Sequence, residues 1–114
     1  MRVSIAAIAL FLSGCASALS GGDDAPLGTQ QNAVRVDTLA GERAYLARLR
    51  CSDGSAPSHQ RLGNGGGSID GHILAIYVVR CAAGEPRASE VWMDMHHPGH
   101  AEAAAPPGFT LVAP

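Results

Sequence analysis

The N-terminus is the segment that most constrains this chain, because a short cationic start precedes a run of apolar and small residues there. Met1-Arg2 is followed by residues 3–12, which are apolar or small apart from Ser4, and then by Ser13-Gly14. This order is typical of a secretory signal peptide covering residues 1–14. The run is about half of the ~20 residues that a helix needs to cross a bilayer, which disfavours a membrane span. Removing 14 of the 114 residues leaves 100, enough for one small domain and too few for a two-domain enzyme.

The charge balance argues against nucleic acid as a partner. Beyond the signal peptide the chain has seven Arg, no Lys and ten acidic residues, so its formal charge is −3. A nucleic-acid-binding domain normally carries a clustered positive charge. The absence of Lys also excludes lysine-based covalent catalysis.

The tetrapeptide Leu-Ser-Gly-Cys at residues 12–15 resembles the lipobox of bacterial lipoproteins. The resemblance implies that cleavage leaves Cys15 as the first residue, with a covalent diacylglycerol on its thiol and an acyl chain, such as palmitate, on its amine. Several acyl chains together anchor a protein stably to a membrane. An ordinary cleaved signal peptide is the alternative. Ala16 stands where an Asp would favour the inner membrane, so we expect a lipid-anchored protein of the outer membrane in the bacterial cell envelope.

The residues after Cys15 indicate a tether. Residues 16–33 are rich in Ser, Gly, Asp, Pro, Gln and Asn and have neither helical nor strand periodicity. We therefore predict a lipidated N-terminus and flexible linker over residues 15–33, followed by a small domain over residues 34–114.

The remaining cysteines predict one disulfide bond. Lipidation of Cys15 leaves only Cys51 and Cys81, and an exported protein lies in an oxidising compartment. A reactive or metal-binding thiol pair is the rival interpretation, but the chain has no CxxC spacing to support it. We expect the Cys51–Cys81 bridge to contribute about 3 to 4 kcal/mol to a small domain.

The clearest secondary structure is an antiparallel hairpin. Residues 71–81 form a β-branched and aromatic run typical of a central strand, residues 82–87 are turn-forming, and residues 89–96 alternate polar with apolar. Residues 45–51 also alternate and are weakly favoured as a strand, although a helix over residues 38–50 remains open. The predicted fold is a small β-rich domain, β or α+β, with an antiparallel sheet of about three to four strands and one disulfide.

The hairpin has a second apolar face that something must cover. One face carries Tyr77, Val79 and Cys81, and the other carries Ile76, Val78 and Trp92. The N-terminal residues 34–39 or the C-terminal residues 109–112 could cover the second face. The alternative is a partner protein or a dimer interface centred on Trp92, Ile76 and Val78.

Residues 93–100, Met-Asp-Met-His-His-Pro-Gly-His, are the one cluster with metal-ligand chemistry. Imidazole and thioether groups suit copper, whereas imidazole and carboxylate groups suit zinc. A turn at Pro98-Gly99 would bring His97 and His100 together, with Met95 on the same side as His97. These three residues are the candidate metal ligands, and no further ligand, such as His59, His72 or Glu102, can be placed from the sequence.

Other chemistry finds little support in the sequence. Gly63 and residues 65–67 lack the Lys and the following helix of a phosphate-binding loop, so we predict a mobile hairpin loop between Leu62 and Ile69. Asp70 with His72, or Asp94 with His96, have the spacing of an acid–base pair on one strand face, but nothing supplies an oxyanion site. No catalytic residue is identified, and whether the protein is an enzyme stays open.

The second half resembles small uncharacterised secreted proteins and lipoproteins of bacteria. The segments that carry the resemblance are LRCSDGSAP (49–57), IYVVRC (76–81), VWMDMHHPG (91–99) and PGF (107–109). The resemblance implies a disulfide-linked domain and no known activity. The expected function is therefore that of a membrane-anchored envelope lipoprotein with a structural or partner-binding role. The alternative is a periplasm-facing copper- or zinc-binding protein.

Overall fold

The computed structural model describes residues 24–114, and the predicted signal peptide and Cys15 lie outside them. The domain consists of seven strands and one helix within this range. In chain order they are β1 (Val34–Asp37), α1 (Thr38–Arg48), β2 (Leu49–Arg50), β3 (Ser58–Gly67), β4 (Ile73–Arg80), β5 (Ala88–Asp94), β6 (His96–Ala101) and β7 (Thr110–Leu111). The predicted small β-rich fold is confirmed.

The main sheet has five strands in the order β3-β4-β5-β1-β6, and β2 pairs with β7 in a separate two-stranded sheet. The predicted β4–β5 hairpin is confirmed, with Ile76 opposite Trp92 and Tyr77 opposite Val91. The sheet is mixed, because β1 runs parallel to β5 and antiparallel to β6. The sequence did not predict this parallel contact.

One face of the sheet packs against α1 to form the core. Tyr77 and Val79 of β4 and Val91 and Met93 of β5 are buried there, as the alternation predicts. The bridge Cys51–Cys81 lies in this layer, with both cysteines at most 4% exposed, and the predicted disulfide is confirmed.

The segment before Cys51 is mostly helical, so the weakly favoured strand over residues 45–51 is wrong except at its end. Glu42, Tyr45 and Leu46 form the buried face of α1, at the three- and four-residue spacing of a helix. Only Leu49–Arg50 is extended, and it pairs with β7. Leu39 is 40% exposed, so the buried stripe is narrow and its helical period is hard to recognise in the sequence.

The segments expected to cover the second face of the hairpin belong to the core instead. Val34, Val36 and Phe109 are buried with Tyr77. The segment beside the second face is earlier in the chain, since residues 28–31 line a surface cavity together with Trp92, and Nε2 of Gln30 donates to the carbonyl of Gly67. The prediction that residues 34–39 or 109–112 cover the second face is therefore wrong.

The folded domain begins before residue 34. Leu27 packs against the core, and Asn32 and Ala33 are buried. The side chain of Asn32 also donates to the carbonyl of Ala25. The last residues of the predicted flexible linker are thus part of the domain.

The glycine-rich segment is a strand, so the predicted mobile loop is wrong for residues 63–67. β3 runs along β4 to Gly67, with irregularities in register near Gly63 and Gly67, and the chain reverses at residues 68–72. A Cβ on Gly65 would overlap Cζ3 of Trp92. The lack of a side chain at Gly65 therefore lets the Trp92 ring lie against the β3 backbone.

Candidate functional site

Four side chains with metal-ligand chemistry meet on the second face of the sheet, and we call them the Asp/His cluster: Asp70, His72, Asp94 and His97. One nitrogen or carboxylate oxygen from each lies within 4.8 Å of all the others. Asp94 ends β5, His97 lies in β6, and the other two residues lie in the reversal between β3 and β4. Three separate chain segments therefore build the cluster.

Asp94 is the centre of this cluster. Its side chain is 2% exposed, and Oδ2 lies 2.7 Å from Nδ1 of His72 and 2.9 Å from Nε2 of His97. Oδ1 accepts a hydrogen bond from the backbone N–H of His96 at 3.0 Å. Burial raises the pKa of Asp94, but the hydrogen bonds from His72, His96 and His97 outweigh it and hold the pKa below its usual range. Asp94 is therefore an anion at neutral pH.

Asp70 forms the solvent-facing side of the cluster. Its carboxylate is 42% exposed, and Oδ2 lies 3.5 Å from Nε2 of His97 and 3.9 Å from Nε of Arg35. Arg35 lies opposite Asp94 in the β1–β5 register. The Arg35 guanidinium thus faces the Asp70 carboxylate, and its positive charge favours the ionised form of Asp70 beside Asp94.

A tight reversal places His72 and Asp70. The Ser68 hydroxyl accepts hydrogen bonds from the backbone N–H groups of Asp70 and His72, and the Ser68 N–H donates to the His72 carbonyl. Gly71 has φ of 79°, in the left-handed region that favours glycine. These interactions direct His72 onto the face of the sheet that carries Asp94.

His97 reaches the cluster because β6 bulges. Asp37 pairs with His96 and Val36 with Ala101, so the four residues 97–100 lie between two pairings that would be adjacent in a regular ladder. Gly99 has φ of 73°, and its N–H donates to Oδ2 of Asp37. The bulge turns the His97 ring back towards Asp94.

The structure separates the three metal ligands that the sequence proposed. His97 belongs to the cluster, whereas His100 is exposed, with its ring centroid 6.4 Å from that of His97. Met95 packs against the core and lines a cavity with Tyr77 and Arg61 on the other side of the sheet. The fold therefore brings His97 together with two carboxylates and His72, and not with Met95.

The sequence contained one indication of the cluster residues that the predicted ligand set did not include. Asp70 with His72, and Asp94 with His96, were noted as separate acid–base pairs. In the structure the Asp94 side chain contacts the rings of His72 and His97, and it accepts only the backbone N–H of His96. The β4–β5 register, with Ala75 opposite Met93, brings the two pairs together.

The proposed partner surface lies next to this cluster on the same face. Ile76, Val78 and Trp92 are half-buried. The Trp92 indole N–H donates to Glu90 at 2.7 Å, and its ring lies against Gly65. The surface is thus partly covered by the chain's own residues.

Comparison with protein-family models, curated proteins and solved structures found no match. Two imidazole nitrogens and two carboxylate oxygens form a donor set suited to a borderline divalent cation.

Proposed function

We propose that this protein binds a divalent transition-metal ion, with zinc as the best match, through Asp70, His72, Asp94 and His97. The observation that carries the proposal is the convergence of four ligand atoms within 4.8 Å of one another. Zinc–ligand distances of about 2.0–2.1 Å place the ligands of a tetrahedral site roughly 3.4 Å apart. The contacts between cluster atoms, 2.7, 2.9 and 3.5 Å, need only small shifts to reach that spacing.

The donor types favour zinc over calcium, magnesium and copper(I). Calcium and magnesium prefer oxygen ligands alone, so two imidazoles disfavour them. Copper(I) prefers thiolate or thioether groups, and the cluster contains neither. Two neutral imidazoles and two carboxylates neutralise the charge of one Zn²⁺.

Metal binding would replace a set of hydrogen bonds. In the structure Nδ1 of His72 and Nε2 of His97 both lie within hydrogen-bonding distance of Oδ2 of Asp94, and because an ionised carboxylate only accepts, both nitrogens donate to it. Coordination needs the lone pairs of these nitrogens, and each ring would then carry its proton on the other nitrogen. Asp70, the exposed ligand, would move from Arg35 towards the metal.

Isothermal titration calorimetry with zinc, using protein expressed from the full sequence, tests this proposal. We expect one site with a dissociation constant of about 1 µM or tighter, or ~8 kcal/mol of binding free energy. Removing a ligand in His72→Ala or His97→Ala should weaken binding at least ~100-fold, since even outer-shell changes cost 10- to 100-fold.

Two histidines outside the cluster provide matched controls. His100→Ala and His59→Ala remove the same side chain from exposed positions. Both should leave zinc affinity within about threefold, because neither side chain belongs to the Asp/His cluster and surface substitutions rarely disturb the fold. Met95→Leu should also leave it unchanged. Loss of binding in His100→Ala with retention in His72→Ala would support the ligand set proposed from the sequence.

Wild-type affinity weaker than about 10 µM would reject a physiological metal site. The structural or partner-binding role expected from the sequence would then be the remaining proposal. In that case the Asp/His cluster would serve to connect β4, β5 and β6 through hydrogen bonds to Asp94.

We further propose that the domain is held in the bacterial envelope by lipid on Cys15. The support is the Leu-Ser-Gly-Cys sequence at residues 12–15. Within residues 24–114 no helix is long and apolar enough to cross a membrane. Globomycin, which blocks the lipoprotein signal peptidase, should cause a precursor to accumulate, and Cys15→Ala should abolish the response. A mature protein of unchanged size in globomycin would contradict the anchor.

A further inference from the structure

A cavity of about 390 Å³ lies on the opposite side of the sheet from the Asp/His cluster, between α1 and the strands β3 and β4. We call it the basic cavity. Its lining residues are Leu39, Arg43, His59, Arg61, Tyr77 and Met95. The volume lies within the range of small-molecule binding sites.

The charge of this cavity is positive although the chain as a whole is negative. Arg43 and Arg61 line it, and no Asp or Glu does. Among the residues that the structure describes, no ion pair with a carboxylate involves either arginine. The Glu42 carboxyl group lies close enough to Arg61 for a Coulombic interaction but does not line this cavity, so the two guanidinium groups give the concave surface a positive charge that attracts an anion.

The lining also has an apolar part. Leu39 is 40% exposed, although it is a large hydrophobic residue, and Met95 and the Tyr77 ring lie beside it. His59 contacts the edge of the Tyr77 ring, with the ring centroids 6.0 Å apart. A ligand that fits this surface has a charged end and an apolar end.

A buried carboxyl oxygen without a partner lies next to the basic cavity. A smaller cavity of about 210 Å³ shares Arg61 and Met95 with it and is also lined by Glu42. The Tyr77 hydroxyl donates to Oε1 of Glu42 at 2.9 Å, whereas Oε2 is buried and has no hydrogen-bond partner. Burial raises the pKa of Glu42, which favours the neutral acid, and a neutral acid has a proton to donate.

We propose that the basic cavity binds a small organic carboxylate, whose anionic end pairs with Arg43 and Arg61 and whose apolar chain packs on Leu39, Met95 and Tyr77. The planar fork of a guanidinium matches a carboxylate in two parallel hydrogen bonds. Inorganic phosphate offers the charge without the apolar part, so it should bind more weakly. This site is independent of the metal site.

Hexanoate is the probe, titrated into zinc-free protein expressed from the full sequence and followed by amide NMR. We expect saturable shifts at Leu39 and Tyr77 with a dissociation constant of about 1 mM, which is reasonable for a ligand of eight heavy atoms. Acetate and phosphate should bind at least about tenfold more weakly, because neither carries the four additional methylene groups. Equal affinity for all three anions would overturn the amphiphilic assignment.

Two double variants distinguish binding in the basic cavity from non-specific attraction of the anion to arginine side chains. Arg43→Gln with Arg61→Gln should weaken hexanoate binding at least about tenfold. Arg80→Gln with Arg87→Gln removes the same charge elsewhere and should leave the affinity within about twofold. Unchanged spectra outside the cavity show that each variant is folded. Equal losses in the two variants, or no saturable shifts in the wild type, would overturn the proposal.

Discussion

Removal of the disulfide should cost this domain a large part of its stability. The bridge joins Cys51 to Cys81 across a sequence separation of 30 residues. Closing a loop of that length contributes about 3 to 4 kcal/mol in the chain-entropy model. A domain of roughly 90 residues has a total unfolding free energy of about 5 to 13 kcal/mol. The variant with Cys51→Ala and Cys81→Ala should therefore be marginally stable.

Urea denaturation followed by tryptophan fluorescence measures this loss. Trp92 is the single tryptophan, and it is half-buried against β3, so its emission should report unfolding. With a urea slope of about 1 to 1.5 kcal/mol per M, the midpoint should fall by roughly 2 to 4 M. The slope should rise, because the unfolded chain without the bridge is more expanded. A loss below about 1 kcal/mol would refute the argument, since the bridge would then not constrain the unfolded chain.

The same denaturation assay tests three further predictions. Gly65→Ala should destabilise the domain by about 1 to 3 kcal/mol, because its Cβ would overlap the Trp92 ring. In the control Gly67→Ala the Cβ meets no atom closer than 4.0 Å, so the loss should be less than ~1 kcal/mol. Equal losses in the two variants would contradict the packing of Trp92 on Gly65. Burial raises the pKa of Glu42, so the folded state holds its proton more tightly and stability should fall as pH rises above 4.5. Glu42→Gln should remove that fall and raise the free energy of unfolding by about 1 kcal/mol at pH 8. A variant with the pH profile of the wild type would contradict the raised pKa of Glu42. The pKa of Asp94 is lowered, so its contribution should be present above pH 3.8 and lost as pH falls below it. Asp94→Asn should remove this loss on acidification, and a parallel profile in wild type and variant would argue against the hydrogen bonds to Asp94.

The hairpin and the disulfide were predictable because local signals determine them. The run in β4 is apolar at successive positions, and the turn that follows it is explicit in the sequence. Once Cys15 is assigned to lipid, Cys51 and Cys81 have only each other as partners. Both faces of the hairpin were also assigned correctly, because a strand alternates its side chains strictly.

The helix and the glycine-rich strand could not be predicted from local signals. Leu39 is exposed and Glu42 is buried in α1, which reverses the usual polarity at two positions of the helical pattern. β3 contains Gly63 and residues 65–67, which normally indicate a loop, and they are extended here because β3 pairs with β4 along its length. In both segments tertiary packing overrides the local secondary-structure propensity.

The Asp/His cluster could be foreseen only in fragments. His97 and the pair Asp70 and His72 were noted separately, but their meeting depends on the β4–β5 register and on the four-residue bulge in β6. Bulge positions are set by pairing with β1, which is distant in the sequence. No local pattern indicates that Asp94 would accept from both His72 and His97.

We predict a particular pair of ring nitrogens as zinc ligands, and long-range ¹H–¹⁵N NMR of the five histidines tests this prediction most directly. Zinc should bind Nδ1 of His72 and Nε2 of His97, because these atoms face Oδ2 of Asp94 at 2.7 and 2.9 Å. The ring nitrogens of His59 and His100 should not respond. Responses confined to His97 and His100, or equal in all five rings, would contradict the proposed site.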